Sequence, residues 1–422
     1  MFDQEGDPDK GKQVGVGLTP EALDNNEVVF EMLADSAWQA KEGKLEDWLA
    51  VYCKDRYGAY TPAVSNAWAH FLKSFYRHKG DHYHFQGSPH LAAWARNSFE
   101  EGWKDGVPNL LSCSNEFAKS SLYIDDCVEF TMRYGMVAAD RIIMEAAYLY
   151  LFGKTNEMVV AADRLDKLAG LMEKLAATRE HLLLSRWADR AREWGSNEEE
   201  KRYYASDAKR LVTAWGGFLN GYATRAWSGI IYYHNSEWQH YLRRLAAGIK
   251  EDDIQWELRD IEKDFWNAGS DKEGFREINP DWQGACREVL EQAFKDYEYS
   301  AGVVDEMLLQ DRGKQYAGFG FSDSKEPITG KTFELPEEFK DKNEITVIIK
   351  GPANGVPMKV YFKREGKPRL VFKPLEYVKD FVHSDEHRYT LRSKKPLGSG
   401  KIILEFDRAL VQGDHWAGIY LK

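Results

Sequence analysis

The spacing of apolar residues changes once along this chain, and that change constrains the fold more than any other feature. From Glu27 to about Ser300 they recur every three or four positions. Val28, Val29, Leu33 and Trp38 begin the pattern, and Leu45, Trp48, Leu49, Tyr52 and Cys53 continue it up to Gly58. That spacing predicts stacked amphipathic helices, with Gly58 as a helix stop. Long helical stretches are expected at 116–152, 157–193, 198–212, 219–233, 238–249, 254–266 and 282–299. No fixed repeat is present, which argues against a solenoid. Beyond Asp311 the period becomes two. Segments 345–349, 358–362, 369–372, 387–391, 401–406 and 417–421 read as short strands separated by turn residues, as in a β-sandwich. The glycine-bearing stretch 310–332 reads as linker or first edge. The expected order is residues 1–27 as a leading segment, 28–305 as an all-α domain and 311–422 as a β-sandwich.

Composition narrows the function. With 57 Lys and Arg against 68 Asp and Glu, the net charge is −11 over 422 residues. Such a chain is repelled by nucleic acid and by anionic membrane surfaces. No apolar run reaches the ~18 residues of a spanning helix. The most apolar stretch, 136–152, is broken by Asp140, Arg141 and Glu145. The first twelve residues lack the basic and apolar regions of a secretory signal. Cys53, Cys113, Cys127 and Cys286 show no CxxC spacing, so neither a zinc ribbon nor a disulfide scaffold is expected. Cys113 and Cys127 are either two buried thiols or a pair in an oxidising compartment. Aromatic residues make up 14% of the chain, which fits a core and equally a cleft that places flat rings against sugars.

Three constellations carry possible chemistry. The first is Val14-Gly-Val-Gly-Leu-Thr-Pro-Glu21, a short strand that ends and presents a carboxylate. β/α barrels place catalytic groups in this way, and glycosidases use a pair of carboxyl groups. Glu21 also fits an ordinary first-turn residue after Pro20, favoured by the helix dipole. The second runs from Trp215-Gly-Gly through Tyr222, Arg225, Trp227 and Gly229 to Tyr232, Tyr233 and Trp238. Trp215 and Tyr222 have a glycine-rich context that suggests exposed rings. Tyr222, Arg225 and Gly229 would share a helical face, while Trp227 and Trp238 fit helix packing. The third is a loop with His78, Asp81, His82 and His84, which reads as solvated or, less simply, as a metal site. Asp125, Asp126 and Glu129 offer the carboxylates for an all-α glycosidase or lyase, although adjacent acids on a helix normally face water. Trp416, Tyr361 and Tyr420 in the β part form either a sugar platform or core. There is no GxSxG, P-loop or GxGxxG, and no cofactor is expected.

Taken together, these blocks resemble the α-N-acetylglucosaminidase family, glycoside hydrolase family 89. Gly15-Val-Gly-Leu-Thr-Pro-Glu21-Ala-Leu-Asp-Asn-Asn-Glu-Val-Val-Phe resembles its G-x-G-[ML]-x-P-E-G-I-x-x-N-x-V pattern. Trp38, Trp48, Tyr52 and Arg56-Tyr57-Gly58 resemble its W…W…[YF]-x-x-x-R-Y-G block. Ala67-Trp68 with Leu72, Ser74 and Tyr76 follows in order. The stretch from Trp215 through Tyr222 and Gly229 to Trp238 resembles its W-G…D-Y-A-x-R-x-W-S-G block. The resemblance covers roughly residues 14–300. It implies a retaining glycosidase that releases terminal α-linked N-acetylglucosamine from glycans. Glu21 matches the nucleophile, and Trp215 and Tyr222 match rings lining the sugar pocket. It further implies that 1–27 is the remnant of the last strand and loop of a β/α barrel. The rest of the barrel, with the acid/base carboxylate, would then be supplied in cis or in trans. An extracytoplasmic location is implied, although no signal peptide is seen in this chain.

The departures from the pattern are specific. Ala22 stands where glycine is usual, Gly221 replaces the aspartate before Tyr222, and Glu237 replaces the arginine before Trp238, where the spacing is one residue short. Because a retaining site needs two carboxyl groups ~5–5.5 Å apart, the chain alone is expected to be inactive. The alternative is a non-catalytic glycan-binding or scaffold protein.

Overall fold

The computed structural model describes Gly17 and residues 27–38, 44–76, 83–91, 103–215, 217–218, 226–317, 328–352, 358–379, 384–410 and 418–422. Glu21, Tyr222, His78, His82 and Trp416 lie outside the described residues, as does the 14–18 strand apart from Gly17. The chain divides into two compact units, the first closing at Ser300 and the second running from Ala301 to Lys422.

The first unit is helical. Its elements are α1 (Glu27–Trp38), α2 (Leu45–Tyr57), α3 (Pro62–Lys73), α4 (Trp103–Leu111), α5 (Ser121–Leu151), α6 (Thr155–Ala176), α7 (Leu184–Arg192), α8 (Glu198–Leu211), α9 (Ile230–Ala246), α10 (Glu251–Asn267) and α11 (Trp282–Arg312), the last running on past Ser300. The predicted stop at Gly58 is present. Its φ of 99° caps α2, and its N–H returns to the Lys54 carbonyl, which a residue with a Cβ would do only under strain. Thr61 caps α3 ahead of Pro62, a start signal readable in the sequence. Most of α5 is buried, and α6 packs against it while α9 packs against α6. A helix that apolar all round belongs in the centre of a bundle rather than in a membrane, and no described helix is long and apolar enough to cross one. All four cysteines are free and buried.

Helix boundaries depart from the periodicity in three places. Within the stretch 219–233 expected to be helical, the described residues 226–229 are not helix and α9 begins at Ile230. Ser228 pairs with Leu183 in an isolated bridge, and Gly229 sits at φ 91°, so neither is in helical conformation. The 157–193 stretch breaks after Ala176 and resumes at Leu184, because residue 183 is the other side of that bridge. α11 also runs beyond the expected 299 to Arg312, carried on by buried Val304 and Met307 and ended by Gly313 at φ 75°.

The second unit carries two antiparallel sheets. The strands are β1 (Lys314–Ala317), β2 (Ile328–Glu334), β3 (Glu344–Pro352), β4 (Met358–Lys363), β5 (Leu370–Val371), β6 (Lys373–Lys379), β7 (Ser384–Arg392), β8 (Lys401–Leu410) and β9 (Gly418–Leu421). One sheet has the order β1-β9-β3-β7-β6 and the other β2-β8-β4-β5. Ile345, Val347 and Ile349 of β3, Val360 and Phe362 of β4, and Ile402 and Leu404 of β8 share one core, the inner faces of a sandwich. The stretch 310–332 is not simply a linker: it holds the end of α11, all of β1 and most of β2.

Candidate functional site

Of the three residues expected at the site, Trp215 is described, while Glu21 and Tyr222 are not. The structure describes residues that flank, in sequence, the segments on which they lie.

The frame next to Glu21 is built on Arg56. Its side chain is 7% exposed, and its guanidinium forks onto Asp126 of α5 at 2.8 and 2.7 Å. The same Nη2 pairs with Glu27, the first residue of α1. The Tyr57 hydroxyl donates to Asp126 at 2.6 Å, and Ser120 Oγ donates to the Arg56 carbonyl at 2.9 Å. Bidentate, charge-assisted bonds of this kind fix geometry as well as charge. Burial pushes Asp126 up to about 6 despite the guanidinium and the phenol that favour its ionised form. The Trp48 indole donates to Asp35 of α1 at 2.8 Å and stacks on Tyr52 at 5.2 Å. The start of α1, six residues after Glu21, is thereby fastened to α2 and α5. The acids weighed as a catalytic pair are structural instead. Asp126 is held as described, Asp125 pairs with Arg179 and Glu129 with Arg133.

The frame around Trp215 is built from both sides of the 215–229 segment. Trp215 follows α8 with φ 51°, the positive-φ residue other than glycine among those described. Its N–H donates to the Arg210 carbonyl at 2.9 Å, the bond of a left-handed helix end normally given to glycine. A tryptophan in that conformation costs ~1–2 kcal/mol, and its ring remains 49% exposed. Gly217 beyond it has open space where a Cβ would be.

At the other end of the segment, Glu173 of α6 receives the chain. Its carboxylate accepts from Ser228 Oγ at 2.8 Å, from the Gly229 N–H at 2.8 and 3.1 Å, and from the Tyr232 N–H at 2.7 Å. This is an anion at a helix N-terminus, where dipole and free N–H groups favour it. Burial nonetheless raises its pKa. A Cβ on Gly229 would lie 2.6 Å from the Glu273 carbonyl oxygen, so no other residue fits. Glu273 is buried against Arg192 and Arg276. Sequence reading missed Glu173. The available signal was its place on the apolar stripe of α6, four residues after Ala169 and next to Met172, where a carboxylate needs partners.

The remaining expectations divide cleanly. Trp227 and Trp238 are core: Trp227 meets Trp187 edge-on at 5.9 Å, and the fully buried Trp238 donates to the Phe85 carbonyl at 3.0 Å. His84 is buried in the short 3₁₀ turn beside Phe85. Among the described residues no group of three His, Cys, Asp or Glu could hold a metal. Glu237 is fully buried and accepts from the Tyr233 hydroxyl at 2.9 Å. Burial pushes its carboxyl up to about 8 and the neighbouring His234 down to about 3. In the sandwich, Tyr361 lies under the Arg369 guanidinium, and Tyr420 is half-buried in β9.

Comparison with known proteins gives a consistent result. The family model for the alpha-N-acetylglucosaminidase (NAGLU) C-terminal domain matches residues 48–285. The human alpha-N-acetylglucosaminidase is 24% identical over 254 residues, 56% of this chain and 34% of its own length. A family 89 glycoside hydrolase from Clostridium perfringens, solved with 2-acetamido-1,2-dideoxynojirmycin, superposes with a TM-score of 0.57 at 22% identity, covering 68% of this chain and 35% of its own. A variant of the Clostridium perfringens protein, solved with its substrate GlcNAc-alpha-1,4-galactose, gives 0.56 at 22% identity over 70% and 36%. The chain therefore spans about a third of the length of these relatives.

Proposed function

This chain belongs to the α-N-acetylglucosaminidase C-terminal domain family, and from that membership we propose that it is the C-terminal portion of a retaining glycosidase releasing terminal α-linked N-acetylglucosamine. In this reading Glu21 is the nucleophile, Trp215 and Tyr222 line the sugar pocket, and residues 1–27 are the last strand and loop of a β/α barrel. Residues 28–305 are the all-α domain and 311–422 an accessory sandwich. The observation that carries the reading is Trp215, held half-exposed in a left-handed conformation at the start of the segment that ends on the Glu173 clamp. A half-exposed ring open to solvent suits stacking on the apolar face of a sugar.

Chemically, a retaining site places two carboxyl groups ~5–5.5 Å apart, one attacking the anomeric carbon and one protonating the leaving oxygen. Glu21 supplies the first. The second comes from barrel residues outside this chain, in cis or in trans, so the isolated chain binds but does not turn over. The fastening of Glu27 by Arg56 supports this role by anchoring the segment that follows the nucleophile. An extracytoplasmic setting goes with the proposed substrate.

The test is hydrolysis of an aryl α-N-acetylglucosaminide by the isolated chain, by the chain with the barrel portion added, and by the same mixture with Glu21→Gln. Activity is expected only in the second. Turnover by the isolated chain that Glu21→Gln abolishes would overturn the shared-site reading. Activity of the mixture unaffected by Glu21→Gln would remove Glu21 as nucleophile.

A further inference from the structure

A groove of about 380 Å³ opens between α9 and α10, lined among others by Tyr232, Ser236, Ile261, Asp264, Phe265 and Lys272. Its size lies at the lower end of the ~300–1,000 Å³ typical of small-ligand sites. Tyr232 presents a ring that is 49% exposed, while its own N–H is fixed by Glu173 at 2.7 Å. Phe265 is buried beneath, stacked on Tyr233 at 4.6 Å, and gives the groove a rigid apolar floor. The basic side chains on one wall are already engaged. Arg243 pairs with Asp163, and both Arg244 and His240 pair with Glu257. The side chains of Asp264 and Lys272 make no hydrogen bond or ion pair among the described residues, although both line the groove. One open acceptor and one open donor of opposite charge leave the opening without a net demand for an ionic ligand.

We propose that this groove, whose lining does not include Trp215, is a saccharide subsite for a neutral, hexose-sized unit of a glycan. A pyranose offers an apolar C–H face and a rim of hydroxyls. The Tyr232 ring takes the face. The Asp264 carboxylate accepts from adjacent hydroxyls, and the Lys272 ammonium donates to hydroxyl or ring oxygens. A monovalent anion would meet Asp264, and an apolar ligand would leave both charged groups unpaired, so a polyhydroxyl ligand fits this lining best. The subsite deepens the glycosidase reading and rests on it for its role, which is to hold the rest of the glycan while its terminal residue is in the pocket. Its existence as a binding site is separable.

The experiment is saturation-transfer difference NMR and titration of the full chain with methyl galactoside, methyl glucoside and GlcNAc-α-1,4-galactose. Four proteins are compared: wild type, Tyr232→Ala, Asp264→Asn and Trp215→Gly. Dissociation constants on the order of 1–10 mM are expected for at least one of the two methyl glycosides, weakened tenfold or more by Tyr232→Ala and by Asp264→Asn and unchanged by Trp215→Gly, whereas binding of GlcNAc-α-1,4-galactose is weakened by all three. Both groove residues are on the surface, and unchanged melting temperatures exclude misfolding; Lys272→Met, expected to weaken binding at least threefold, is the second probe of the same groove. Absence of binding by every probe overturns the proposal. Binding lost only in Trp215→Gly also overturns it and places the saccharide in the other pocket. Groove binding that persists when the chain plus barrel portion shows no turnover overturns the glycosidase reading and leaves the subsite standing.

Discussion

Replacing Glu237 with glutamine should change how the stability of the helical unit responds to pH. In the fold this carboxyl is fully buried and faces Tyr233, His234 and, across the Tyr233 hydroxyl, Glu262. Its pKa rises from 4.5 to about 8. Between those values the folded chain keeps a proton that the unfolded chain has released, so stability falls as pH rises. Each pH unit is worth ~1.4 kcal/mol, and the whole interval ~5 kcal/mol. His234 works in the opposite sense. Held neutral with a pKa lowered from 6.5 to about 3, it adds stability as pH rises through that interval. The two slopes cancel between 4.5 and 6.5, and above 6.5 the glutamate acts alone. From these two groups, wild-type stability should be flat over that range and then fall by ~2 kcal/mol by pH 8. Glu237→Gln keeps the oxygen that accepts from Tyr233 and removes the ionisation. Its stability should rise by ~3 kcal/mol from 4.5 to 6.5 and stay level to pH 8. Urea unfolding followed by far-ultraviolet circular dichroism at a series of pH values measures both curves. Parallel curves for the two proteins would refute the reasoning, since they would mean that Glu237 takes up its proton at the same pH in the folded and the unfolded chain.

Other perturbations have equally direct outcomes. Arg56→Ala leaves Asp126 buried without its fork and should cost ~3–5 kcal/mol, with part recovered by adding Asp126→Asn, as a double-mutant denaturation cycle would show. Gly229→Ala demands a positive φ and drives a Cβ into the Glu273 carbonyl; a loss of at least ~3 kcal/mol by thermal melting is expected. Glu173→Gln weakens the charge-assisted bonds to the start of α9 and should cost ~2–3 kcal/mol, with faster amide exchange at Gly229 and Tyr232. Trp215→Gly suits the left-handed conformation, so stability should stay within ~1 kcal/mol while calorimetric binding of N-acetylglucosamine is lost.

What could be read from the sequence was what neighbouring residues decide. Gly58 after a periodic stretch marks a helix end by local chemistry, and it acts as one in the structure. The start of α9 was not legible, because the corner at Ser228 and Gly229 is held by Glu173 and by the Glu273 backbone, groups remote in sequence. β6 escaped detection because it contains Pro374. As the last strand of its sheet it needs no ladder donor on its open side, and proline is tolerated there. Tryptophans 227 and 238 were readable as core, since bulky rings at helical spacing usually pack inward. Trp215 stood apart through the glycines after it, although its backbone conformation has no sequence signature. Glu237 was visible only as a departure from a family pattern; its burial, which pushes its carboxyl up, depends on how the helices pack around it.

The Glu173 clamp bears on the order in which the molecule assembles. Its carboxylate and the Gly229 amide are 56 residues apart in sequence, and the Phe275 amide that fixes Ser228 is 47 residues further on. Contacts of such separation carry a closure cost that is offset only once intervening helices have docked. α6 and the turn at 273–275 must therefore be in place before the corner can form. The corner at Ser228 and Gly229 is then a late part of the helical unit to settle and an early one to be released by partial opening. Opening of that corner draws on a small local free energy rather than on the stability of the whole bundle. A single remote carboxylate sets how often the corner opens.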